Sequence, residues 1–229
     1  MDMVLDQIPY FANLDYQALQ RVRQAAHQRT YRAGGVIFAE DGECAGFHIV
    51  TEGMVRIYRV NTEGRLHTLS LLRPVATFNE VASIDGGPNP FNAVAVTDVE
   101  VLVISHTNLI NLMANDRTLL NNTVQSLARL NREYIERLED MTFRTIPSRL
   151  AKLFLHESSY QICEAPTQLT QEEMAAILGT TREVVGRALR GLLNAGLLRK
   201  QGRNVYIADR DGLEYLAETN MMPQRVGNR

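Results

Sequence analysis

Leu169-Thr-Gln-Glu-Glu-Met-Ala-Ala-Ile-Leu-Gly-Thr-Thr-Arg-Glu-Val-Val-Gly-Arg-Ala-Leu-Arg190 holds two helix starts and one abrupt helix end. Thr170 with Glu173 forms a capping box, so a helix begins near Gln171 and turns Met174, Ala175 and Leu178 inward. Gly179 supplies the left-handed residue on which a helix stops, and Thr180 with Glu183 reads as a second capping box. The second helix buries Val184 or Val185 with Ala188 and Leu189, which leaves Arg182, Glu183, Gly186, Arg187 and Arg190 on the opposite face. Two helices meeting at a tight corner, one of them with such a face, fit a helix-turn-helix that reads DNA.

Arginine offers a planar fork that matches guanine O6 and N7 in the major groove, and glutamate accepts from the cytosine amino group. The face therefore suits a G·C-containing half-site, with Gly186 allowing close approach of the backbone to the groove. The blander reading is an amphipathic hairpin with a solvated, charged face. Small Ala175 at the crossing, Gly179 at the turn and Val185 in the second helix weigh against it, because they fall where the motif needs them. The following run, Leu197-Leu-Arg-Lys-Gln-Gly-Arg-Asn-Val-Tyr-Ile-Ala208, reads as two short strands around Gly202. They form a wing carrying Arg199, Lys200 and Arg203.

The net charge of −2 over 229 residues is unevenly distributed. Residues 144 to 203 carry nine Lys and Arg against five Glu and no Asp, about +4, which leaves about −6 on the remainder. A basic module on an acidic body directs a polyanion to one end of the chain. No apolar run reaches membrane-spanning length, and Met1-Asp-Met-Val-Leu-Asp6 lacks the basic start and apolar core of a signal peptide. The expectation is a cytoplasmic protein with no membrane partner. The only two cysteines, Cys44 and Cys163, are too few for a four-cysteine iron–sulfur cluster within one chain.

Between about Gln28 and Ser105, short apolar runs alternate with Asp41-Gly42, Glu52-Gly53 and Glu63-Gly64. Turns this closely spaced predict an antiparallel β-roll rather than strands alternating with helices. Helices are expected before it, from Asp15 to Gln28, and after it, from His106 to Ala114. From Thr118 to Met141 there is neither Gly nor Pro. Leu120, Val124, Leu127, Tyr134, Leu138 and Met141 step by fours and threes, with Asn131 in the one polar seam position, as in a two-stranded coiled coil. The alternative is a helix packed on its own domain, and Leu119 and Leu130, which lie off the seam, fit that as well. A homodimer also suits the DNA reading, since a two-fold pair reads two half-sites one helical turn apart. The resulting α+β division is a β-roll sensor domain over 1–116, a dimerisation helix over 117–141, a winged helix-turn-helix domain over 142–219 and a flexible tail over 220–229.

A β-roll, a long helix and a winged helix-turn-helix in that order resemble the catabolite activator and fumarate-nitrate regulator (CRP/FNR) family across nearly the whole chain. Thr181-Arg-Glu-Val-Val-Gly-Arg187 is similar to the recognition-helix start of the catabolite activator branch. That resemblance implies base contacts from Arg182, Glu183 and Arg187 and phosphate contacts near Thr170, Gln171 and Thr181. It also implies a palindromic operator of the TGTGA kind and RNA polymerase as a partner.

The resemblance breaks at the effector site. Cyclic-AMP-binding members hold the ribose with Gly-Glu and the cyclic phosphate with Arg-Ser. The corresponding segment here, Phe78 to Asn92, keeps Glu80 but aligns Asn89 and Pro90 with the Arg and Ser. No Lys or Arg lies between Arg73 and Arg117. A buried cyclic phosphate would lose its charge-assisted partner, at a cost on the order of 2 kcal/mol. The candidate pocket is Phe78, Asn79, Glu80, Asn89, Pro90, Phe91 and, on the long helix, Tyr134; the cofactor is unknown and cyclic AMP is disfavoured. Asn92-Ala-Val-Ala-Val96 is similar to a cyanobacterial 2-oxoglutarate-binding regulator, which also has an arginine where Asn89 stands. No His-x-His or His-x-x-x-His pair occurs among His27, His48, His67, His106 and His156, so no metal site is expected. The readings left open are control by an effector other than cyclic AMP, an effector-independent activator, and a haem sensor using His48 or His67. A metalloenzyme built on the β-roll is the rival from another class, and the chain carries no catalytic motif that would favour it.

Overall fold

The computed structural model describes residues 5, 7–64, 66–159, 169–202 and 204–223, with the backbone alone for 156–159. It divides into two compact units, Met1–Glu133 and Tyr134–Arg229.

In the first unit a 3-10 turn (Pro9–Phe11) precedes helix α1 (Tyr16–Ala25), which starts where Asp15 Oδ1 accepts from Ala18 N at 2.7 Å. The helix expected to reach Gln28 ends at Ala25. Ala26, His27 and Gln28 instead open strand β1 (Ala26–Tyr31), because they pair with Ile104, Val103 and Leu102 of β8 (Val99–Ile104). Between them lie β2 (Val36–Phe38), β3 (Phe47–Glu52), β4 (Val55–Val60), β5 (Leu66–Leu72), β6 (Thr77–Phe78), helix α2 (Glu80–Asp85) and β7 (Asn92–Ala95). The strands form two four-stranded antiparallel sheets, ordered β1-β8-β3-β6 and β2-β7-β4-β5.

Strands β3 and β8 are covered on both faces, as continuous apolar runs require. Val50, Val101 and Val103 join the core between the sheets with Phe38, Val55 and Phe78. Ile49, Leu102 and Ile104 face a second core built with Phe11, Val22, Leu109 and Leu119. Ser105 caps helix α3 (His106–Asn115) through Asn108 N. The long helix α4 then runs from Arg117 to Phe143, two residues past the expected end at Met141. Its first half buries Leu119, Thr123 and Ser126, and Asn122 Nδ2 ties it to the carbonyls of Tyr10 and Ala12. The seam residues lie elsewhere on the same helix: Leu120, Val124 and Leu138 are 45%, 59% and 64% exposed, Asn131 is exposed and Leu127 is half-buried.

The second unit packs α5 (Ile146–Ser159), α6 (Gln171–Leu178), α7 (Arg182–Asn194), the hairpin β9 (Leu198–Gln201) and β10 (Asn204–Ile207), and α8 (Arg210–Thr219) around one core. Leu150, Val185, Leu192, Leu197 and Leu213 are each at most 1% exposed within it. Asn220, expected in a flexible tail, is instead the left-handed cap of α8 at φ 64°. No helix among the described residues is long and apolar enough to cross a membrane.

Candidate nucleic-acid interface and effector segment

Helix α6 starts on a closed capping box. Thr170 Oγ1 accepts from Glu173 N at 3.2 Å, while Thr170 N donates to Glu173 Oε2 at 2.7 Å. The helix ends at Gly179 with φ 60°, a conformation that an L side chain rarely adopts. The second box does not form where the sequence placed it. Helix α7 is capped at Thr181 rather than Thr180, and no side chain bonds its first amides from that position. The chain leaves Gly179 so that Thr180 N returns to Ala175 O at 3.0 Å, which makes Thr181 the first extended residue and sets the helix start one position later.

Val185, Ala188, Leu189 and Leu192 turn inward, while Arg182, Glu183, Arg187 and Arg190 are exposed. With Gln171 of α6 and Gly186 they line one open depression. Gly186 is buried, not part of the exposed face: a Cβ there would meet Gln171 Oε1 at 3.3 Å and an Arg190 guanidinium nitrogen at 3.7 Å. The side chains of Gln171 and Arg190 cover it. The Glu183 carboxyl is held below the usual range by its own backbone N–H, then by the Thr181 hydroxyl, with Arg182 and Arg187 adding to the effect. It is therefore an ionised acceptor at neutral pH. On the wing, Gly202 (φ 62°) makes the turn, Arg199 and Lys200 are exposed, and the Arg199 guanidinium stacks on its cross-strand partner Tyr206 at 4.9 Å. Arg203 lies outside the described residues, as does Cys163.

A polar cluster that the sequence reading missed fixes the start of this unit. Asp140 accepts from Arg144 Nε at 2.6 Å and from Lys152 Nζ at 2.5 and 2.7 Å. Arg144 also donates to the carbonyls of Ala217 and Glu218 at the end of α8. Asn220 Oδ1 accepts from Thr145 N and Thr145 Oγ1, and Asn220 Nδ2 donates to Phe143 O. The Asp140–Arg144 pair stands at i,i+4 and was legible in the sequence; the contacts to α8 were not.

The effector segment folds as β6, α2 and the strand start at Asn92. Phe78, Asn79, Asn89 and Phe91 are buried, and Glu80 and Pro90 are half-buried. The Glu80 carboxyl is pushed above the usual range by desolvation, although Thr77 Oγ1 donates to it at 2.6 Å. Phe38, His48, Phe78 and Phe91 form an aromatic cluster, with ring centroids 4.8 Å apart for His48–Phe78 and 5.9 Å for Phe38–Phe91. Tyr134, the remaining candidate, is 47% exposed on the part of α4 that belongs to the second unit.

The chain matches the family model for a cyclic nucleotide-binding domain over residues 28–116 and that for a Crp-like helix-turn-helix domain over residues 148–216. It is 27% identical to the CRP-like cAMP-activated global transcriptional regulator of Mycobacterium tuberculosis, over 93% of this chain and 98% of that one. It is 29% identical to the Cyclic AMP receptor protein of Thermus thermophilus, over 91% and 96%. The crystal structure of a CRP/FNR-family transcriptional regulator, also of Thermus thermophilus, superposes with a TM-score of 0.67 at 28% identity, covering 84% of this chain and 98% of that one. A putative CRP/FNR-family regulator of Eubacterium rectale shares the fold, with a TM-score of 0.73 at 23% identity, covering 93% and 99%. A β-roll joined to a winged helix-turn-helix defines a DNA-binding regulator of transcription. The chain belongs to the CRP/FNR family.

Proposed function

We propose that the protein is a cytoplasmic, non-enzymatic homodimer that binds a palindromic TGTGA-like operator and acts on RNA polymerase from there. The observation that carries the DNA reading is the exposed set Arg182, Glu183, Arg187 and Arg190 beside Gln171, mounted on a helix whose other face is buried. Arg182, Glu183 and Arg187 take the base edges. Thr170, Gln171, Thr181, Arg190 and the wing residues Arg199, Lys200 and Arg203 take the backbone.

Dimerisation is supported by α4 itself, since all nine residues 131–139 are exposed and Tyr134, Ile135 and Leu138 are among them. A helix stretch this exposed in its own chain gains little from packing there, and a second copy would cover its apolar side chains. Two of the relatives carry cyclic AMP in their names. In this chain the position aligned with the phosphate-binding arginine is Asn89, so operator binding is read as independent of cyclic AMP.

Selection of bound sequences from a random duplex pool by the full-length protein, without additives, tests the reading. The expected product is an inverted repeat of TGTGA-like half-sites with centres about one helical turn apart. A single unpaired half-site, or no enriched sequence, overturns it.

A further inference from the structure

A buried polar network beneath the loop 39–45 involves none of the side chains proposed above to contact DNA. Asn89 is 1% exposed and its amide is fully used. Nδ2 donates to Ala39 O at 3.1 Å and Glu43 O at 2.8 Å, while Oδ1 accepts from Ala45 N and Asn79 Nδ2, both at 3.0 Å. Its backbone binds the same loop, through Asp41 N to Asn89 O at 2.9 Å and Asn89 N to Gly42 O at 3.0 Å. Asn79 is 0% exposed and left-handed at φ 66°; its Nδ2 also donates to Gly46 O at 3.1 Å. Its carbonyl receives Ser83 N and Ser83 Oγ, which fixes the first turn of α2.

The linkage continues toward the long helix. Ser83 O is bonded to His106 Nδ1 at 2.9 Å, and His106 is the first residue of α3. Leu109 and Met113 of α3 share one apolar core with Leu119 of α4. The loop 39–45, α2, α3 and the base of the long helix are thus joined by hydrogen bonds and close packing, a contiguous physical route for coupling.

We propose that the Asn79–Asn89 pair is a built-in substitute for an effector. It holds the loop 39–45 and α2 closed over the β-roll, so the DNA-competent arrangement forms with no small molecule bound. The proposal rests on the DNA-binding reading above and assigns its regulation. A ligand shifts an equilibrium only by its preference for one state. Here the chain's own amides already supply that preference, and an anion entering at Asn89 would have to break four satisfied hydrogen bonds.

The test uses the full-length protein, the selected operator, and hydrogen exchange read at the amides of residues 41 and 45. The wild type binds the operator with an affinity that cyclic AMP or cyclic GMP at ~100 μM changes less than twofold, far from the tenfold shift that marks 1.4 kcal/mol of coupling. Asn89→Ala loses about tenfold in operator affinity and both amides exchange faster. Asn79→Ser, a smaller change for use if Asn89→Ala does not fold, loses affinity in the same direction, and the double variant loses no more than the larger single loss. Tenfold tightening of the wild type by either nucleotide overturns the proposal. So does faster exchange in Asn89→Ala or Asn79→Ser with operator affinity unchanged, which would make the pair structural only. If the wild type binds no duplex in preference to another, the DNA-binding reading fails instead, and the exchange data still report whether the pair holds the loop.

Discussion

Arg182 and Lys200 carry the same charge from different mountings, and their roles follow from the mounting. Arg182 stands on the first turn of α7 beside an ionised Glu183, whereas Lys200 projects from a two-stranded wing. Arg182→Ala should lose about 1–3 kcal/mol of discrimination at one G·C pair per half-site, while Lys200→Ala should weaken all sequences and lower the salt slope by about one per half-site. Affinities for the operator and for a scrambled duplex across a salt series separate the two. If both variants weaken every duplex equally, Arg182 contacts phosphate and the base-reading assignment is wrong. His48 makes a different prediction. It is 2% exposed, and burial is the main cause that lowers its pKa from 6.5 to about 4; its bond to Gly46 O opposes the shift and Arg29 adds to it. Because the unfolded chain takes up the proton more readily, the first unit should lose stability as pH falls from about 6.5 toward 4, by up to about 3 kcal/mol. Glu80, with its pKa raised, has the opposite sign and offsets part of this. The melting temperature of His48→Gln should therefore depend less on pH across that window than that of the wild type. Identical slopes would remove His48 as the cause.

At the scale of elements, the junction between α4 and α5 is held by side chains that reach α8. Asn220 serves twice, as a left-handed cap and as a partner of Thr145 and Phe143. Asn220→Gly keeps the backbone conformation and removes the bonds, at a cost of about 1 kcal/mol. Asn220→Ala adds roughly 1–2 kcal/mol of left-handed strain. Calorimetry of the second unit's unfolding should rank wild type above Gly above Ala, and a Gly variant as stable as the wild type would mean the junction bonds contribute nothing. What the sequence disclosed follows the range of the interactions. Thr170 with Glu173, Gly179, the wing turn at Gly202 and the four-three spacing on α4 are local signals, and each element they mark is present. Helix α2 has six residues and β6 two, and Asn79 starts α2 without a side-chain cap, so neither left a periodic trace. Residues 26–28 continue a helix-like pattern, but pairing with β8 prevails over local preference. Three of Asn89's side-chain partners lie 44 to 50 residues upstream, and no local pattern exposes a bond of that range. In the segment from Phe78 to Asn92, where an effector pocket was expected, the Asn89 amide is fully engaged within the chain and Asn79 Nδ2 donates to Asn89 Oδ1 and Gly46 O.

For the whole molecule, the proposed dimer would make the exposed stripe on α4 the link between the fold and operator symmetry. Leu119, Thr123 and Ser126 commit one face of the helix to the first unit, and Leu120, Val124, Tyr134 and Leu138 remain 45–64% exposed along another. A stripe of that length, with Asn131 as the polar interruption, matches the pattern that fixes register and two-strandedness in a parallel pair. The basic module would gain from pairing as well, because two reading heads one turn apart multiply contacts that a single helix makes over a few base pairs. Leu127→Glu places two carboxylates opposite each other in the seam, where burying unpaired like charges is strongly unfavourable. Sedimentation equilibrium should therefore find a wild-type dimer at micromolar concentration and a Leu127→Glu monomer with unchanged circular dichroism. The same variant should lose preference for the palindrome over an isolated half-site, and its salt slope should fall to about half that of the wild-type dimer, since one reading head neutralises about half as many phosphates. A monomeric wild type would overturn the dimer reading. A dimeric Leu127→Glu protein would move the interface to another face of the helix and leave the seam without a role.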